Sequence, residues 1–201
     1  MKIDLSGMNV LITGASGGIG YAIAGLLGKA GSSLAIHYNQ NRKPAQELAE
    51  EIGSSATVFQ ANLANHEECV RLFEEVEKKF ERIDVLINNA GVAIKSPVDL
   101  PPDTWVNDWE KTMRINLTAT AVLCKIAINH FLHQKGGRII NIASRAAFRG
   151  DTIDYLAYAA SKGGMVSLTR SIARGFGKQN IKAFLIAPGF VRTEMAQEFI
   201  D

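Results

Sequence analysis

The chain has few of the residues that build disulfide scaffolds, metal centres or nucleic-acid interfaces. Its 201 residues include only two cysteines, Cys69 and Cys124, and neither has the neighbours expected of a zinc site. We therefore predict two buried free thiols, no metal and a reducing, cytoplasmic location. The formal net charge of +2 leaves no marked excess of basic residues, which argues against nucleic acid as a partner.

Long apolar stretches are also missing. No uninterrupted run of about 18 apolar residues is present, so we expect no membrane span. The first residues, MKIDLSGMNVLITG, contain no long apolar segment ending in a cleavage site, so we expect no signal peptide. With 47% hydrophobic and 21% charged residues, the composition is typical of a soluble globular protein. The length predicts one domain over residues 1–201.

What the sequence does contain is a glycine-rich turn between a strand and a helix. Residues 10–12 have the character of a short buried strand, and residues 21–29 are predicted to be helical. Between them lies TGASGGIG, residues 13–20. Glycines let a pyrophosphate approach the backbone closely, and a helix N-terminus offers free N–H groups. This turn predicts a dinucleotide site, and the alternative is a tight turn without a ligand.

The end of the second predicted strand, residues 33–38, bears on the choice of dinucleotide. In many NAD-binding folds an acidic residue here holds the ribose 2′-hydroxyl, whereas a nearby arginine accommodates the 2′-phosphate of NADP. Residues 37–43 read HYNQNRK and contain no acid. We therefore predict that NADP(H) is favoured over NAD(H), unless Arg42 belongs to a solvated loop. The candidate contacts are Ser16, Asn39, Asn41 and Arg42.

A tyrosine and a lysine four residues apart are the candidates for acid–base chemistry. Tyr158 and Lys162 share one face of a predicted helix. A neighbouring ammonium group lowers the pKa of a phenol from near ~10, which prepares it to exchange a proton with a carbonyl or alcohol oxygen. Ser144 follows the fifth predicted strand, at the end where open α/β sheets bind ligands. Taken alone, such a Tyr–Lys pair is more often a solvated helix face.

The order of strands and helices predicts an α/β fold. Predicted helices separate six predicted strands, at residues 10–12, 33–38, 56–60, 83–87, 138–143 and 181–187. Such alternation is typical of a doubly wound parallel sheet with three layers, α/β/α. A reversal after the third strand would bring the glycine turn, residues 88–91, Ser144 and Pro188 to one edge of the sheet.

Together these motifs resemble the short-chain dehydrogenase/reductase family. The resemblance covers essentially the whole chain. The motifs, in family order, are Thr13-Gly-x-x-x-Gly18-x-Gly20, Asn88-Asn-Ala-Gly91, Asn116, Ser144, Tyr158-x-x-x-Lys162, and Pro188-Gly189 leading to Thr193. The resemblance implies that Tyr158 is the general acid of a reduction and that Lys162 lowers its pKa and holds the nicotinamide ribose. It also implies that Ser144 hydrogen-bonds the substrate carbonyl and that Asn116 holds a water of a proton relay.

The same resemblance implies a set of cofactor contacts and a Rossmann-type sheet that lacks the family's usual last strand in the chain given. The implied contacts are Gly14, Ser16, Gly18, Ile19, Gly20, Asn39, Asn41, Arg42, Asn62, Leu63, Asn89, Ala90, Gly91, Tyr158, Lys162, Pro188, Gly189, Val191 and Thr193. Asn62 stands where relatives usually have an aspartate facing the adenine. Its amide oxygen can still accept a hydrogen bond from the adenine amino group.

Within the family, the chain is most similar to the 3-oxoacyl-[acyl-carrier-protein] reductase branch. That likeness implies NADPH-dependent reduction of a ketone to a secondary alcohol in fatty acid metabolism, with a 3-oxoacyl thioester or related carbonyl as substrate. Acyl carrier protein is a candidate partner. The chain is expected to form a homodimer through two long helices, at about residues 104–133 and 158–177, or a homotetramer that requires the missing part or an alternative contact. The substrate wall is predicted at residues 94–98, 146–155 and 190–200. The alternatives are a redox-inactive NADP-binding sensor or scaffold, and a sugar-nucleotide epimerase or dehydratase.

Overall fold

A computed structural model describes residues 3–193 of the chain, in which six strands alternate with helices. The strands are β1 (Asn9–Ile12), β2 (Ser33–Tyr38), β3 (Ala56–Gln60), β4 (Val85–Asn88), β5 (Gly137–Ile142) and β6 (Ile181–Ile186). The α-helices are α1 (Gly18–Lys29), α2 (Arg42–Ile52), α3 (His66–Phe80), α4 (Pro102–Met113), α5 (Ala119–His133), α6 (Ala146–Arg149) and α7 (Leu156–Phe176). A π-helical turn, Arg114–Thr118, joins α4 to α5, and 3₁₀ turns lie at Ile153–Tyr155 and Gly177–Gln179.

All six strands are parallel and form one sheet in the order β3-β2-β1-β4-β5-β6. The predicted reversal after the third strand is confirmed. In the register, Ile12 of β1 lies beside Ile36 of β2 and Ile87 of β4, so the carboxyl ends of the central strands are level. The loops that follow these strands therefore share one edge.

The sheet separates two apolar cores because successive side chains of a strand point to opposite faces. Leu11 faces α3 and α5 and packs with Phe73 and Phe131, whereas Ile12 faces the other layer with Ile36 and Leu48. All six side chains are essentially inaccessible to solvent. Burying each of them stabilises the fold by about 1.5–3 kcal/mol. Strands apolar on both faces are what a sheet covered on both sides requires.

The strand β6 lies at one edge of the sheet and is less covered than the others. Its Phe184 and Ile186 side chains are 48% and 49% exposed, whereas Ile181 at its start is fully buried. The other edge strand, β3, is half-buried over most of its length and contacts α2. The β6 edge of the sheet is therefore the more exposed apolar edge.

The helix from Pro102 to His133 is long and apolar enough to cross a bilayer by length and composition alone. The sequence predicts no such segment because polar residues interrupt every apolar run, so the finding qualifies that prediction. The inner face of α5 nevertheless belongs to the core of the sheet, where Leu123, Ala127 and Phe131 are buried. This burial is typical of a core helix in a globular protein.

Candidate active site

Two cavities open at the carboxyl edge of the sheet and meet at Tyr158. The larger has a volume of about 410 Å³ and runs from the ends of β2 and β3, past the glycine loop, to Lys162. The smaller, of about 150 Å³, lies between Ser144 and the segment after β6. Their shared lining residues are Ile19, Ala143, Tyr158 and Thr193. We call the larger one the dinucleotide groove and the smaller one the substrate cavity.

The glycine loop, residues 13–20, forms one wall of the dinucleotide groove and is packed tightly against the loop after β4. Gly14 has a φ of +64°, and a Cβ added there would lie 2.7 Å from the Cα of Ala90. A Cβ on Gly20 would lie 2.4 Å from the side chain of Asn89 and from the Gly14 carbonyl oxygen. Only glycine fits these two positions, because any side chain would push the loop away from β4.

The N-terminus of α1 has the features of an anion site. No side chain caps the helix, and its first turn contains no acidic residue. By contrast, α3 is capped by Asn65 and carries Glu67 and Glu68 in its first turn. The first N–H groups of α1 therefore remain available at the positive end of the helix dipole, where a phosphate binds well. The glycine loop and this helix end fit the pyrophosphate of a dinucleotide.

Polar side chains fix the glycine loop to β4. The Thr13 hydroxyl accepts hydrogen bonds from the backbone N–H groups of Asn89 and Ala90, at 3.0 and 3.1 Å. The Asn89 amide donates in return to the carbonyl oxygens of Thr13 and Gly14, at 3.0 and 2.9 Å. The motif NNAG therefore holds the glycine loop in place by hydrogen bonds and also lines the groove.

The far end of the dinucleotide groove is lined by amides. Asn39, Gln40, Asn41 and Asn62 line it, and no carboxylate is among the described lining residues. Arg42 begins α2, is exposed and does not line the groove. The Asn62 side-chain oxygen, expected to accept from an adenine, already accepts a hydrogen bond from the Ala64 N–H at 3.1 Å.

The Tyr158 phenol lies where the two cavities join. Burial raises its pKa, because the phenolate loses its hydration, and the negative charge of Asp151 adds to that rise. A hydrogen bond with Ser144 lowers the pKa of the phenol, but by less than burial raises it. The prediction that a lysine lowers the pKa of this phenol is thus wrong for the protein without bound ligands. The proton stays on Tyr158 at neutral pH.

Lys162 is buried, with 3% of its surface exposed, and lies beneath the tyrosine. Its Nζ is 5.8 Å from the centre of the Tyr158 ring and donates a hydrogen bond to the Ile142 carbonyl oxygen at 2.9 Å. Burial lowers the pKa of Lys162 to about 8. The ammonium is therefore anchored to the end of β5.

Asn116 is fully buried in the π-helical turn behind the groove. Its side chain accepts from the Val92 N–H at 2.8 Å and donates to the Val92 carbonyl and the Ser161 hydroxyl, at 2.9 and 3.0 Å. Its backbone carbonyl oxygen accepts a hydrogen bond from the Thr120 hydroxyl at 2.9 Å. Asn116 thus ties the loop after β4 to α7.

The structure brings most predicted site residues to the two cavities. Gly20, Arg42 and Asn116 do not line either one: Gly20 and Asn116 lie behind the wall, and Arg42 lies outside it. Of the predicted substrate wall, residues 94–98 do not reach the cavities, and Ala93 lines the substrate cavity instead. Residues 194–200 lie outside the described part of the chain.

Several lining residues were not predicted as site residues from the sequence. They are Gly17, His37, Gln40, Val92, Ile115, Ile142 and Ala143 in the groove, and Ala93 and Arg145 in the substrate cavity. Arg149, Asp151 and Phe190, which also line the substrate cavity, belong to the predicted wall segments. The guanidinium of Arg145 lies 6.0 Å from the ring centre of Phe190. A polar residue inside an otherwise buried strand was the one available signal for His37.

Comparison with known proteins assigns the family. Residues 8–201 match the family model described as short chain dehydrogenase. The chain belongs to the short-chain dehydrogenase family. A curated relative, the 3-oxoacyl-[acyl-carrier-protein] reductase of Aquifex aeolicus (strain VF5), is 33% identical over 198 residues, covering 97% of this chain and 78% of that protein.

Solved structures of short-chain dehydrogenases share the fold. The 3-ketoacyl-(acyl-carrier-protein) reductase of Brucella melitensis, complexed with NADH, is 27% identical with a TM-score of 0.87, covering 96% of this chain and 79% of that one. The NADPH-dependent 3-quinuclidinone reductase of Rhodotorula rubra is 32% identical with a TM-score of 0.87, covering 96% and 73%. The chain is therefore an oxidoreductase of the 1.1.1 class with a Rossmann-type parallel sheet, and its cofactor class is a nicotinamide dinucleotide.

Proposed function

We propose that this protein is an NADPH-dependent reductase that converts a ketone to a secondary alcohol, with Tyr158 as the proton donor. One observation carries the proposal: the Tyr158 phenol lies at the junction of the dinucleotide groove and the substrate cavity. A group at that junction can reach a carbonyl oxygen whose carbon faces the cofactor. Nicotinamide, when bound, supplies the hydride.

The residues around Tyr158 serve the proton transfer. The raised pKa keeps the phenol protonated, which is the state that a proton donor to a developing alkoxide needs. Ser144 hydrogen-bonds the carbonyl oxygen from the substrate side. Lys162 stays cationic below a pH of about 8, and its positive charge stabilises negative charge that forms at the phenol oxygen during transfer. Asn116 positions the loop after β4 relative to α7 through its hydrogen bonds to Val92 and Ser161.

The groove favours NADPH over NADH. Asn39 and Asn41 offer amide donors at the end of β2, and a carboxylate that would repel a 2′-phosphate is missing from the described lining. The pyrophosphate is held by the N–H groups of the glycine loop and α1. The nicotinamide end is bounded by Gly91 and Lys162 on one side and by Thr193 on the other. Gly189 and Val191 complete the wall toward the substrate.

The curated relative and the substrate cavity support the proposed substrate class. A 3-oxoacyl thioester, delivered on acyl carrier protein, agrees with the name of the Aquifex aeolicus relative. Arg145 and Arg149 line the cavity and suit an acidic carrier. We further propose a cytoplasmic enzyme in fatty acid metabolism, built as one domain and assembled into a homodimer through the α4–α5 and α7 helices, or into a homotetramer that uses an additional contact.

A substrate panel tests the proposal. The purified protein is incubated with NADPH or NADH and with acetoacetyl thioesters, simple ketones and hydroxyketones, and loss of the reduced-nicotinamide absorbance is followed. We expect turnover of the 3-oxoacyl thioester with a higher kcat/KM for NADPH than for NADH. Tight NADPH binding without turnover across the panel would instead support the redox-inactive sensor. Preference for NADH would overturn the cofactor assignment alone.

A further inference from the structure

We propose that His37 is a positioning residue. Through one side-chain hydrogen bond to Gly14, it holds the glycine loop in the position that the dinucleotide requires. The inference rests on the proposed function in one respect, namely that the groove binds a nicotinamide dinucleotide. It concerns affinity for that molecule and leaves the chemical step untouched.

The geometry of His37 differs from that of an ordinary core residue. The imidazole lies near the end of β2, has 2% of its surface exposed, and lines the dinucleotide groove. Its Nδ1 is 3.0 Å from the backbone nitrogen of Gly14, and its Nε2 is 2.9 Å from the carbonyl oxygen of Ala61. One ring therefore connects the glycine loop to the end of β3.

These two partners determine the tautomer. A backbone N–H can only donate, so Nδ1 accepts the hydrogen bond from Gly14 and carries no proton. A carbonyl oxygen can only accept, so Nε2 carries the proton and donates it to Ala61. Burial lowers the pKa of His37 to about 4, which keeps the ring neutral and the Nδ1 lone pair available.

Gly14 is held from both flanks by this arrangement. His37 binds its N–H from the β2 side, and Asn89 binds its carbonyl oxygen from the β4 side at 2.9 Å. The backbone of His37 adds a third contact, since its carbonyl oxygen accepts from the Ala15 N–H at 3.0 Å. Gly14 is the residue with positive φ that begins the phosphate-facing part of the loop, so a shift there moves every N–H that follows.

The isosteric amides separate the two bonds of the ring. The side-chain oxygen of asparagine can occupy the place of Nδ1, whereas the terminal nitrogen of glutamine can occupy the place of Nε2. His37→Asn therefore keeps the bond to Gly14 and loses the one to Ala61. His37→Gln keeps the bond to Ala61 and loses the one to Gly14. Both variants remove one buried hydrogen bond and have similar polarity.

The experiment measures the dissociation constant of NADPH by fluorescence titration in the two variants and in the unmodified protein. We expect His37→Gln to raise the dissociation constant about 5–10-fold, the factor of one net hydrogen bond, and His37→Asn to change it less than about 2-fold. The kcat at saturating NADPH should stay within about 2-fold in both, because His37 does not contact Tyr158. Equal losses of affinity in the two variants, or none in His37→Gln, would overturn the inference.

His130 supplies the matched control for stability. It too accepts a hydrogen bond from a backbone N–H, that of Ile83 at 3.1 Å, and its other nitrogen lies 2.8 Å from Glu77. It lines neither cavity. We expect His130→Asn to lower the melting temperature as much as the His37 variants do and to leave the dissociation constant of NADPH unchanged. A parallel loss of affinity in His130→Asn would mean that destabilisation alone weakens binding.

A second readout requires no ligand. Hydrogen exchange of the Gly14 amide should be slow in the unmodified protein and in His37→Asn, and markedly faster in His37→Gln. If the protein reduces no ketone but the hydrogen-exchange rates and the NADPH dissociation constants change as expected, only the proposed function is refuted. If the protein reduces ketones but the NADPH dissociation constant is the same in all variants, only the role of His37 is refuted. If it binds neither NADPH nor NADH, both proposals are overturned.

Discussion

The two halves of the cleft are held together by different kinds of contact. On the side of β1 to β3, the backbone of the glycine loop is held by Thr13 and His37, with Asn89 holding it from the end of β4. On the side of β4 to β6, a chain of buried polar side chains connects the sheet to α7. The first half positions main-chain N–H groups, and the second positions side chains.

The polar chain of the second half runs through three elements. Asn88 of β4 donates to Asn141 of β5 at 2.8 Å, and Asn141 donates to the Thr169 hydroxyl of α7 at 2.8 Å. All three side chains are buried, so their bonds form away from water and cannot be replaced by solvent. The comparison teaches that substitutions in the first half should change mainly affinity, whereas those around α7 should change mainly turnover.

The largest effect is expected for Tyr158→Phe. Removing the phenol oxygen removes the proton donor, and we expect kcat/KM to fall by about 10²–10⁴-fold while the dissociation constant of NADPH changes little. Steady-state kinetics and a binding titration measure the two quantities. Tyr21→Phe, on α1 and lining neither cavity, is the control that should behave as the unmodified protein. Unchanged turnover in Tyr158→Phe would refute the assignment.

Gly14→Ala should have the largest effect on binding. The new Cβ would lie 2.7 Å from the Ala90 Cα, and the φ of +64° is strained for alanine, so the loop has to move. We expect NADPH affinity to fall by more than about 10-fold, together with a loss of stability of about 1–3 kcal/mol. Isothermal titration and thermal unfolding measure these changes.

Gly7→Ala separates strain from displacement of the loop. Gly7 has a φ of +80°, but a Cβ there has no atom within 4 Å. We expect a stability loss of the same kind without a change in NADPH affinity. If both variants lost affinity equally, the loop would not be the cause.

Arg42→Glu is expected to alter the choice of cofactor. Arg42 lies outside the groove wall, so its contribution is a screened attraction to the 2′-phosphate, of about 1 kcal/mol, equivalent to about 5-fold in affinity. We expect loss of NADPH affinity by a larger factor than that of NADH. The control is Lys29→Glu, which makes the same change of charge at the C-terminal end of α1, away from the glycine loop. Equal losses for the two dinucleotides would refute the role of Arg42.

The smallest expected effect is on the titration of Tyr158. Its pKa is raised, so in the free protein the phenol keeps its proton up to a pH above its ordinary value near ~10. Asp151 contributes to that rise, so Asp151→Asn should move the titration to lower pH. Ultraviolet difference spectra, with Tyr158→Phe to assign the signal, measure the shift. A phenol already ionised near neutral pH in the free protein would contradict the burial of this site.

The sequence predicts the sheet well because apolar runs between helices leave few arrangements for a parallel α/β fold. Every strand and its place in the order is confirmed, and the two cysteines are buried and free. Asn116 lies in the middle of a long helical stretch, and the structure has a π-helical turn at that point. The residue type gave the signal because asparagine is unfavourable inside a regular helix.

Other features depend on contacts that no local pattern contains. A spacing of four residues places Lys162 on the same helix face as Tyr158, but it does not reveal that the ammonium is bound to the Ile142 carbonyl. The direction predicted from the sequence for the pKa shift of Tyr158 is therefore wrong. The role of His37 depends on a loop that folds back over β2, a contact between residues 23 positions apart.

The single tyrosine shared by two cavities has a consequence for the order of events during turnover. The dinucleotide groove and the substrate cavity meet at Tyr158, so the proposed reaction requires both reactants to be bound together before hydrogen is exchanged. No residue of the enzyme needs to store the reducing equivalent between two half-reactions. Initial-rate plots against both reactants should accordingly give intersecting lines, the signature of a ternary complex.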